Sequence, residues 1–465
     1  MAHLLYIVYS GGTINLNSGN VRMLEQYVPR MGDGEKVVDG VELEFSGTAV
    51  TEIQTEMQKV HNALREAQAY QVDKTGSPVY AYFQPNGYTE AWRTELKPYR
   101  TNDWKLTLDS DSMGKARWED AYKVKGLLTW TRGDYWEGVE AQIPLTNANG
   151  TANTAGLTIK NCGDGTGASP TKRDNTVSIS SASVSGDLPG ATRLEITNTY
   201  NNAARNYTWW IGHNVNSDPA NFVHVIEAED STVSGGAGGT VVANANYSGG
   251  EARTEVVYNS NFVSGYSATY KWALSTAILN AVRGNYVRAM ARFTGTLSET
   301  TIWVKLQIIL GATVIWDGPQ VLLSTLEIQE LGSFRLPPYL LKSGDLYPLD
   351  LQMIVVDTAG TADKTITLDS VELMPLDGWR KLGDAGYGQG YNVRIVDDGI
   401  NDLIYTDSWS TAGKVGNYIG YGEAIKLHPG KDQKLYFMWT YNGADALNDK
   451  TASVKLYYRP RRRTI

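Results

Sequence analysis

The sequence predicts a mainly β protein: an α+β N-terminal domain with one long helix, followed by a β-sandwich interrupted by or followed by a jelly-roll β-sandwich. Over most of the chain, apolar and polar residues alternate with period two between clusters of Gly, Asn and Ser, which is typical of strands. One long segment has helical spacing instead. The 465 residues, 42% of them hydrophobic, suffice for about three domains with well-filled cores.

The N-terminal domain is predicted over residues 1–150. Its helix begins near Thr51, and Thr51 followed by Gln54 resembles a capping box. Strands are expected on both sides of the helix, among them Val41–Phe45 and Lys125–Glu137. One helix among several strands favours a helix packed on an antiparallel sheet. The apolar stripe of the helix consists of Ile53, Met57, Val60, Leu64 and Ala67.

The remainder of the chain divides into three blocks after a small, polar linker at Asn147–Asn153. Residues 151–222 and 377–465 each contain too few predicted strands for a complete sandwich, whereas residues 223–376 contain enough. The simplest arrangement is one sandwich, 151–222 plus 377–465, split by an inserted jelly roll, because insertions succeed at exposed loops. Three serial domains remain the alternative.

Composition excludes several classes of protein. The formal net charge of −8 argues against a general nucleic-acid binder, which normally has a basic surface. The single cysteine, Cys162, excludes an intrachain disulfide and a zinc cluster built on paired cysteines. No apolar window is long enough to span a membrane. The first apolar run, Leu4–Tyr9, has no basic segment before it, so we expect a strand there and no signal peptide.

Catalytic motifs are missing from the sequence. The five histidines are scattered without metal-ligand spacing, and there is no Gly-x-Ser-x-Gly motif of a serine hydrolase. The Gly-rich stretch Ser234–Gly239 lacks the Lys-Ser/Thr pair of a phosphate-binding loop. We therefore expect no catalytic residues and no enzymatic activity.

One acidic pattern is specific enough to suggest a metal. Glu227 and Glu229 lie two residues apart in a predicted strand, which would direct both carboxylates to one face. Asp369, in the last strand of the same block, could supply a third oxygen. Three carboxylates with backbone carbonyls would suit structural Ca²⁺. A solvated face of an edge strand is the alternative.

The block 223–376 resembles the carbohydrate-binding jelly rolls of families 6 and 35. The similarity rests on Glu227-Ala228-Glu229, the Gly-rich loop that follows, and the closing strand Ile366–Leu373 (ITLDSVEL). It implies calcium at Glu227, Glu229 and Asp369, with no other cofactor, and sugar binding by aromatic rings that stack on a pyranose. Most of these aromatic residues are more typical of a core or a strand than of a binding loop, and the sequence leaves both interpretations open. The candidate sugar-binding residues are Tyr266, Tyr270, Trp272, Trp303 and Trp316.

Residues 1–150 resemble the first domain of distal tail proteins, which belong to the baseplates of long-tailed bacteriophages. The similarity rests on one helix among strands and on the passage Gly126–Gly138 (GLLTWTRGDYWEG). In that family a ring-forming domain precedes a β-sandwich, and some members carry an inserted carbohydrate-binding domain. The resemblance implies a structural virion protein of the tail tip that is made in the host cytoplasm. Its expected partners are its own copies in a ring, other phage tail proteins and host cell-surface glycan.

Two other classes of function remain as alternatives. One is a carbohydrate-binding or carbohydrate-active accessory protein, which would normally need export. The other is a different tail component, such as a fibre or tail-tube protein. The basic segment Arg459–Arg463 is expected to contact acidic surfaces of neighbouring subunits in an assembly.

Overall fold

A computed structural model describes most of the chain, and its contacts divide the protein into two compact units. Unit 1 comprises residues 1–141, 185–190 and 459–465, and unit 2 comprises residues 142–184 and 191–458. The described residues are 4–31, 36–109, 122–147, 150, 152–153, 156–160, 175–200, 206–215, 224–234, 239–243, 247–248, 251–257, 268–282, 284–294, 301–323, 328–336, 341–342, 345–346, 348–358, 364–375, 378–384, 389–408, 411–415, 418–441, 451–463 and 465.

Strands dominate both units, which confirms the predicted fold class. The first group is β1 (Leu4–Tyr9), β2 (Gly12–Asn15), β3 (Val21–Met23), β4 (Lys36–Gly47), β5 (Tyr80–Gln84), β6 (Trp92–Glu95), β7 (Trp104–Leu108), β8 (Tyr122–Gly133) and β9 (Trp136–Glu137). The next is β10 (Ala141–Ile143), β11 (Leu145–Asn147), β12 (Ala152–Asn153), β13 (Leu157–Lys160), β14 (Thr176–Ile179), β15 (Gly190–Asn198) and β16 (Asn206–Asn214). The third is β17 (His224–Glu227), β18 (Thr232–Ser234), β19 (Thr240–Ala243), β20 (Glu251–Val257), β21 (Ala268–Ala273), β22 (Tyr286–Thr294), β23 (Ile302–Leu310), β24 (Thr313–Asp317), β25 (Val321–Leu322), β26 (Ile328–Arg335), β27 (Leu341–Lys342), β28 (Asp345–Leu346), β29 (Asp350–Asp357) and β30 (Lys364–Pro375). The last is β31 (Gly378–Asp384), β32 (Val393–Asp398), β33 (Leu403–Ser408), β34 (Thr411–Val415), β35 (Tyr418–Tyr421), β36 (Lys426–Leu427), β37 (Gln433–Tyr441), β38 (Thr451–Tyr458) and β39 (Arg461–Arg462).

The predicted long helix is α1 (Val50–Asp73), which packs on the sheets of unit 1. Its buried side includes Ile53, Val60 and Leu64, as the apolar spacing predicted. The predicted capping box is wrong. The N-cap is Ala49, which has no side-chain acceptor, and Glu52 instead accepts a 2.7 Å hydrogen bond from the backbone nitrogen of Thr48. No helix among the described residues is long and apolar enough to cross a membrane.

Unit 1 contains two antiparallel sheets. One has the order β2-β1-β5-β6-β9-β39, and the other has the order β3-β4-β8-β7. Apolar side chains from α1 and from both sheets form one core. The passage Gly126–Gly138 supplies part of this core, because Trp130 and Trp136 are fully buried. Its role in the structure is therefore to hold the sheets of unit 1 together.

A buried ion pair joins the two long strands of unit 1. Nε of Arg132 in β8 donates to the carboxylate of Asp39 in β4, and neither side chain is exposed to solvent. The same carboxylate accepts hydrogen bonds from the Tyr27 hydroxyl and from the backbone nitrogen of Arg30, at 3.1 Å. The guanidinium also donates to the carbonyl oxygens of Gly133 and Arg30, at 2.7 and 2.6 Å. The charges are thus both paired and hydrogen-bonded, as burial requires.

The basic C-terminal segment pairs within unit 1, and its expected contacts with neighbouring subunits stay a prediction. Arg461 pairs with Glu137 across β39 and β9, and its guanidinium donates to the Glu137 carboxylate at 2.8 Å. Arg93 donates to the other oxygen of that carboxylate, at 3.1 Å. Cross-strand neighbours continue from Arg93 to Tyr82 and then to Tyr6. The rings of Tyr82 and Tyr6 stack, with their centroids 4.8 Å apart. The segment therefore forms an ordered edge of the sheet.

In unit 2, two sheets combine strands from before and after residues 224–375. One has the order β10-β38-β15-β32-β33-β34, with β13 beside β38 and β36 beside β15. The other has the order β12-β11-β14-β37-β16-β31-β35. They enclose a shared core in which Trp209 and Trp439 stack at 4.4 Å. We refer to these strands as the split sandwich; the predicted domain boundaries themselves stay predictions.

Residues 224–375, here called the jelly-roll segment, form two further sheets around their own core. One has the order β19-β20-β30-β22-β26, with β17 beside β30. The other has the order β18-β21-β29-β23-β24, with β25 beside β23, and β27 pairs with β28 separately. A short helix, α2 (Thr276–Val282), was not predicted from the sequence.

The jelly-roll segment packs on the split sandwich through a small buried cluster. The hydroxyl of Tyr436, in β37, donates to the carboxylate of Glu372, in β30. Arg292, in β22, lies 3.5 Å from the other oxygen of Glu372. These polar groups are surrounded by apolar side chains, so the contact is both dry and directional. The apolar cluster consists of Trp210, Met290, Ile328, Met374, Tyr436 and Met438.

Replacing Tyr436 by Phe should weaken this contact. The variant keeps the ring but removes the hydrogen bond to a buried carboxylate, so we expect a loss of about 2 kcal/mol in the free energy of unfolding of unit 2. Urea denaturation of the full chain, followed by tryptophan fluorescence, measures the loss. Tyr421→Phe is the matched control, because Tyr421 is exposed on the same sandwich sheet. Equal stability of the two variants would show that the hydroxyl contributes nothing.

Candidate functional site

The three predicted metal ligands lie at one end of the jelly-roll segment. Glu227 is the last residue of β17 and pairs with Ser370 in β30, next to Asp369. Glu229 follows in a turn rather than in the strand, so the argument from strand alternation does not apply to it. The turn begins where the backbone nitrogen of Ala228 donates to the carbonyl oxygen of Asp369, at 3.1 Å. Strand pairing therefore brings the two ends of the segment, and their carboxylates, to one place.

Ser248 connects two of these carboxylates, and no motif in the sequence pointed to it. Its backbone nitrogen donates to Oδ1 of Asp369 at 2.8 Å, and its hydroxyl donates to Oε1 of Glu227 at 3.1 Å. All three residues are buried. Ser248 lies in a loop more than a hundred positions from Asp369, so only the fold brings them together.

The charge at this site is unbalanced. Burial raises the pKa of Asp369 well above its ordinary range, against the opposing charge of Arg292, and the negative charge of Glu227 raises it further. Burial also raises the pKa of Glu229 to about 7, with repulsion from Glu227 and Asp230 adding to the effect. Both carboxylate oxygens of Glu229, and Oδ2 of Asp369, are buried without a hydrogen-bond partner among the described residues. Such oxygens are costly unless a cation or a proton compensates them.

The donor set fits a hard cation such as Ca²⁺, which prefers carboxylate and carbonyl oxygens. Within the described part of the chain, no three Asp, Glu, His or Cys side chains already stand in a metal-ligand arrangement. The chemistry of the residues thus fits such an ion, although the three carboxylates are not arranged as its ligands in this structure.

The predicted sugar-binding aromatics do not form one group. Tyr270 is fully buried and Trp272 is only 4% exposed, and their rings stack in the core with centroids 6.0 Å apart. The prediction is wrong for these two residues, because neither ring has a face that a sugar could reach. Trp272 instead supports the acidic site, since its indole nitrogen donates to the backbone oxygen of Glu227 at 2.8 Å.

The other three aromatics have different outcomes. Trp303 and Trp316 are half-buried, in β23 and β24. Trp316 lies opposite Ile308, five residues along β23 from Trp303, so the two indoles do not form one stacking platform. Trp316 also packs on Phe334, with ring centroids 4.8 Å apart. Tyr266 lies outside the described residues, and sugar binding by Trp303 and Trp316 stays a prediction.

Comparison with known proteins gives only distant similarity. No protein-family model matches the sequence, and no characterised protein matches it in sequence. Among solved structures, a phage p2 baseplate chain, from the activated conformation with Sr, is 9% identical, with 80% of this chain and 98% of that chain covered at a TM-score of 0.25. The corresponding chain with Ca gives 9% identity, 77% and 99% coverage, and a TM-score of 0.23.

A carbohydrate-active enzyme is similar to the same low degree. The isomalto-dextranase of Arthrobacter globiformis T6, solved with panose, is 12% identical at a TM-score of 0.23. The match covers 46% of this chain and 39% of the enzyme, so this chain spans about two fifths of it. These TM-scores are too low to define a fold shared with either protein.

Proposed function

We propose that this protein is a structural component of a bacteriophage tail tip, of the distal-tail type, that acts by assembly and binding without catalytic turnover. The observation that supports the proposal is the order of folds along the chain. A unit with one long helix on two sheets precedes a sandwich whose strands flank a jelly roll. This is the layout implied by the sequence resemblance to distal tail proteins.

In this proposal unit 1 forms a ring by contacts between successive copies in the virion tail. A ring requires a heterologous interface, in which two different surfaces of the protein meet and the rotation closes. The jelly-roll segment would then bind host cell-surface glycan, and Trp303 and Trp316 are its remaining aromatic candidates. A flat indole ring would bind a pyranose by stacking on its apolar face.

We further propose that Glu227, Glu229 and Asp369 hold a structural Ca²⁺ ion. The ion would supply the positive charge that is missing around these buried carboxylates. Ser248 and Trp272 would orient Glu227 through their hydrogen bonds to its side chain and its backbone. The expected consequence is structural, because β17 and β30 begin and end the jelly-roll segment and meet at this site.

The proposed function is tested by the state of the full chain in solution and in particles. The purified protein should sediment as a multimer, and a specific antibody should label the end of the tail in electron micrographs of virions. A protein that is monomeric at high concentration and absent from virions would contradict the proposal. Labelling along a fibre or the tail tube would favour another tail component, and release of products from a polysaccharide would favour a carbohydrate-active protein.

A further inference from the structure

Strand β19, at one edge of a jelly-roll sheet, is exposed on both of its faces. All four of its residues, Thr240–Ala243, are exposed, and the exposed fraction is 48% for Val241 and 39% for Val242. In the part of the chain that the structure describes, β19 pairs only with β20. Edge strands normally carry charges, prolines or bulges, which discourage pairing with another chain. β19 carries none of these, so its outer edge is open to a further strand.

The opposite edge of the same sheet is β26, whose only strand partner among the described residues is β22. Backbone groups on the outer side of an edge strand can pair with an added strand. A bulge divides β26 near Leu331, so a short strand such as β19 fits this edge better than a long one. The two edges belong to one sheet, and a second copy of the chain can therefore bring its β19 to β26 of the first.

Beside β26, part of a split-sandwich sheet is left uncovered. Tyr421, in the edge strand β35, lies opposite Lys381 of β31. The Lys381 amine lies 3.7 Å from the carboxylate of Glu330, in the middle of β26, so Tyr421 lies next to this part of the jelly-roll edge. Ile419 lies two residues before Tyr421 and so shares its face of the sheet. Tyr421 is 54% exposed and Ile419 is 52% exposed, and we call these two residues the apolar ledge.

Two ion pairs flank the apolar ledge. One is Lys381 with Glu330, and the other, directly after β35, is Lys426 with Glu423 at 2.8 Å. Arg335, at the end of β26, donates to a backbone carbonyl oxygen of its own chain at 2.9 Å. These contacts occupy the nearby charges, so an uncharged strand with apolar side chains suits the ledge better than a charged one.

The two valines of β19 point to opposite faces of the sheet, as alternation in a strand requires. Val241 lies opposite Arg253, which lies opposite Leu368 of the jelly-roll core. Val241 is therefore on the core face, and Val242 is on the face turned toward the split sandwich. Added to β26, such a strand places one valine over the apolar ledge and the other beside Phe334 on the core face.

We propose that β19 of one copy adds to β26 of the next copy, with Val242 packed on the apolar ledge. The pairing satisfies backbone groups on both edges and buries apolar side chains that one copy alone exposes. The chain itself supplies the short, uncharged and exposed strand that suits the edge and the ledge, which identifies a second copy as the partner. Two different surfaces meet in this contact, so it is heterologous and repeats from copy to copy in a ring or a filament.

This contact is independent of the proposed tail function and of any contact made by unit 1, because every residue in it belongs to unit 2. A chain that assembles through unit 1 alone would keep the proposed function and lack this contact. Conversely, the contact can form in a protein that is not a tail component. Its test must therefore report which residues meet, and not assembly alone.

Cross-linking between two single-cysteine chains tests the contact. Full-length chains with Val242→Cys and with Tyr421→Cys, each also carrying Cys162→Ser, are mixed and treated with bismaleimidoethane, a short thiol cross-linker. The mixture should give covalent dimers, whereas each chain alone should give few, because the contact joins unlike surfaces. Leu403→Cys replaces Tyr421→Cys as the control, since Leu403 is 46% exposed on the other sandwich sheet. Equal yields with the control, no dimers in the mixture, or dimers mainly between like chains would overturn the proposal.

A charge placed at the contact gives a second test. Val242→Lys and Tyr421→Lys should each weaken association of the full chain by about tenfold in sedimentation experiments, because each buries an unpaired charge. Val314→Lys is the matched control, because Val314 is 45% exposed on β24, the edge strand of the other jelly-roll sheet. The control should leave association unchanged. Unchanged association of both contact variants would overturn the proposal, as would an equal loss in the control.

Discussion

Replacing Arg132 by Met should lower the free energy of unfolding of unit 1 by about 3–5 kcal/mol. The substitution keeps the volume of the side chain but leaves the carboxylate of Asp39 buried without its counter-charge. Tyr27 would still donate to that carboxylate, but a neutral hydroxyl compensates only part of the charge. Two carbonyl oxygens, of Gly133 and Arg30, would also lose their donor.

Urea denaturation of the full chain, monitored by circular dichroism, measures this loss. Arg22→Met is the matched control, because Arg22 is exposed on β3 of the same sheet. The control should change stability by less than about 0.5 kcal/mol. A loss below about 1 kcal/mol for Arg132→Met would mean that the pair contributes little and that Asp39 is accommodated without it.

Calcium should stabilise the jelly-roll segment, and the expected change in the free energy of unfolding is second in size to that of Arg132→Met. At a free concentration one hundred times the dissociation constant, an ion that binds only the folded state adds about 2.7 kcal/mol. Differential scanning calorimetry of the full chain should show a higher melting temperature with Ca²⁺, and EDTA should reverse the increase. The physical reason is that the ion would compensate the buried oxygens of Glu229 and Asp369.

Substitutions at the acidic site distinguish stabilisation by bound calcium from a general effect of mutation on the fold. Glu229→Gln should abolish the response to calcium, whereas Glu423→Gln should preserve it, because the Glu423 side chain is 82% exposed and far from the acidic site in sequence. Asp369→Asn should also abolish the response to calcium. It should cost the metal-free protein little stability, since it removes a negative charge that burial disfavours. A response to calcium that survives both Glu229→Gln and Asp369→Asn would contradict the proposed site.

The sequence predicted the features that depend on local spacing. The apolar stripe of α1 and the alternation in β4 repeat every few residues, so the helix and this strand were located correctly. The sequence suggested that Asp369 joins Glu227 and Glu229, and the family resemblance implied calcium there. The contacts of this cluster with Ser248 and Arg292 depend on strand register across the whole jelly-roll segment.

Two of the predicted sugar contacts failed for a physical reason. Aromatic residues in a strand alternate between the core and the surface, and the sequence does not state which side is the core. The pattern therefore predicts ligand contacts at Tyr270 and Trp272, although both are buried. The pairing of Arg461 with Glu137 does not follow from the sequence, because Glu137 lies more than three hundred residues earlier in the chain.

The strands that enter and leave the jelly-roll segment are direct neighbours. β16 leads into the segment and β31 leaves it, and His213 lies opposite Gly378 in their antiparallel pairing. At the other end, His224 lies opposite Leu373. In terms of connectivity, the whole jelly roll is the loop of a β-hairpin. Evolution could therefore exchange it for a short turn, or for another binding module, and leave every strand of the split sandwich in register.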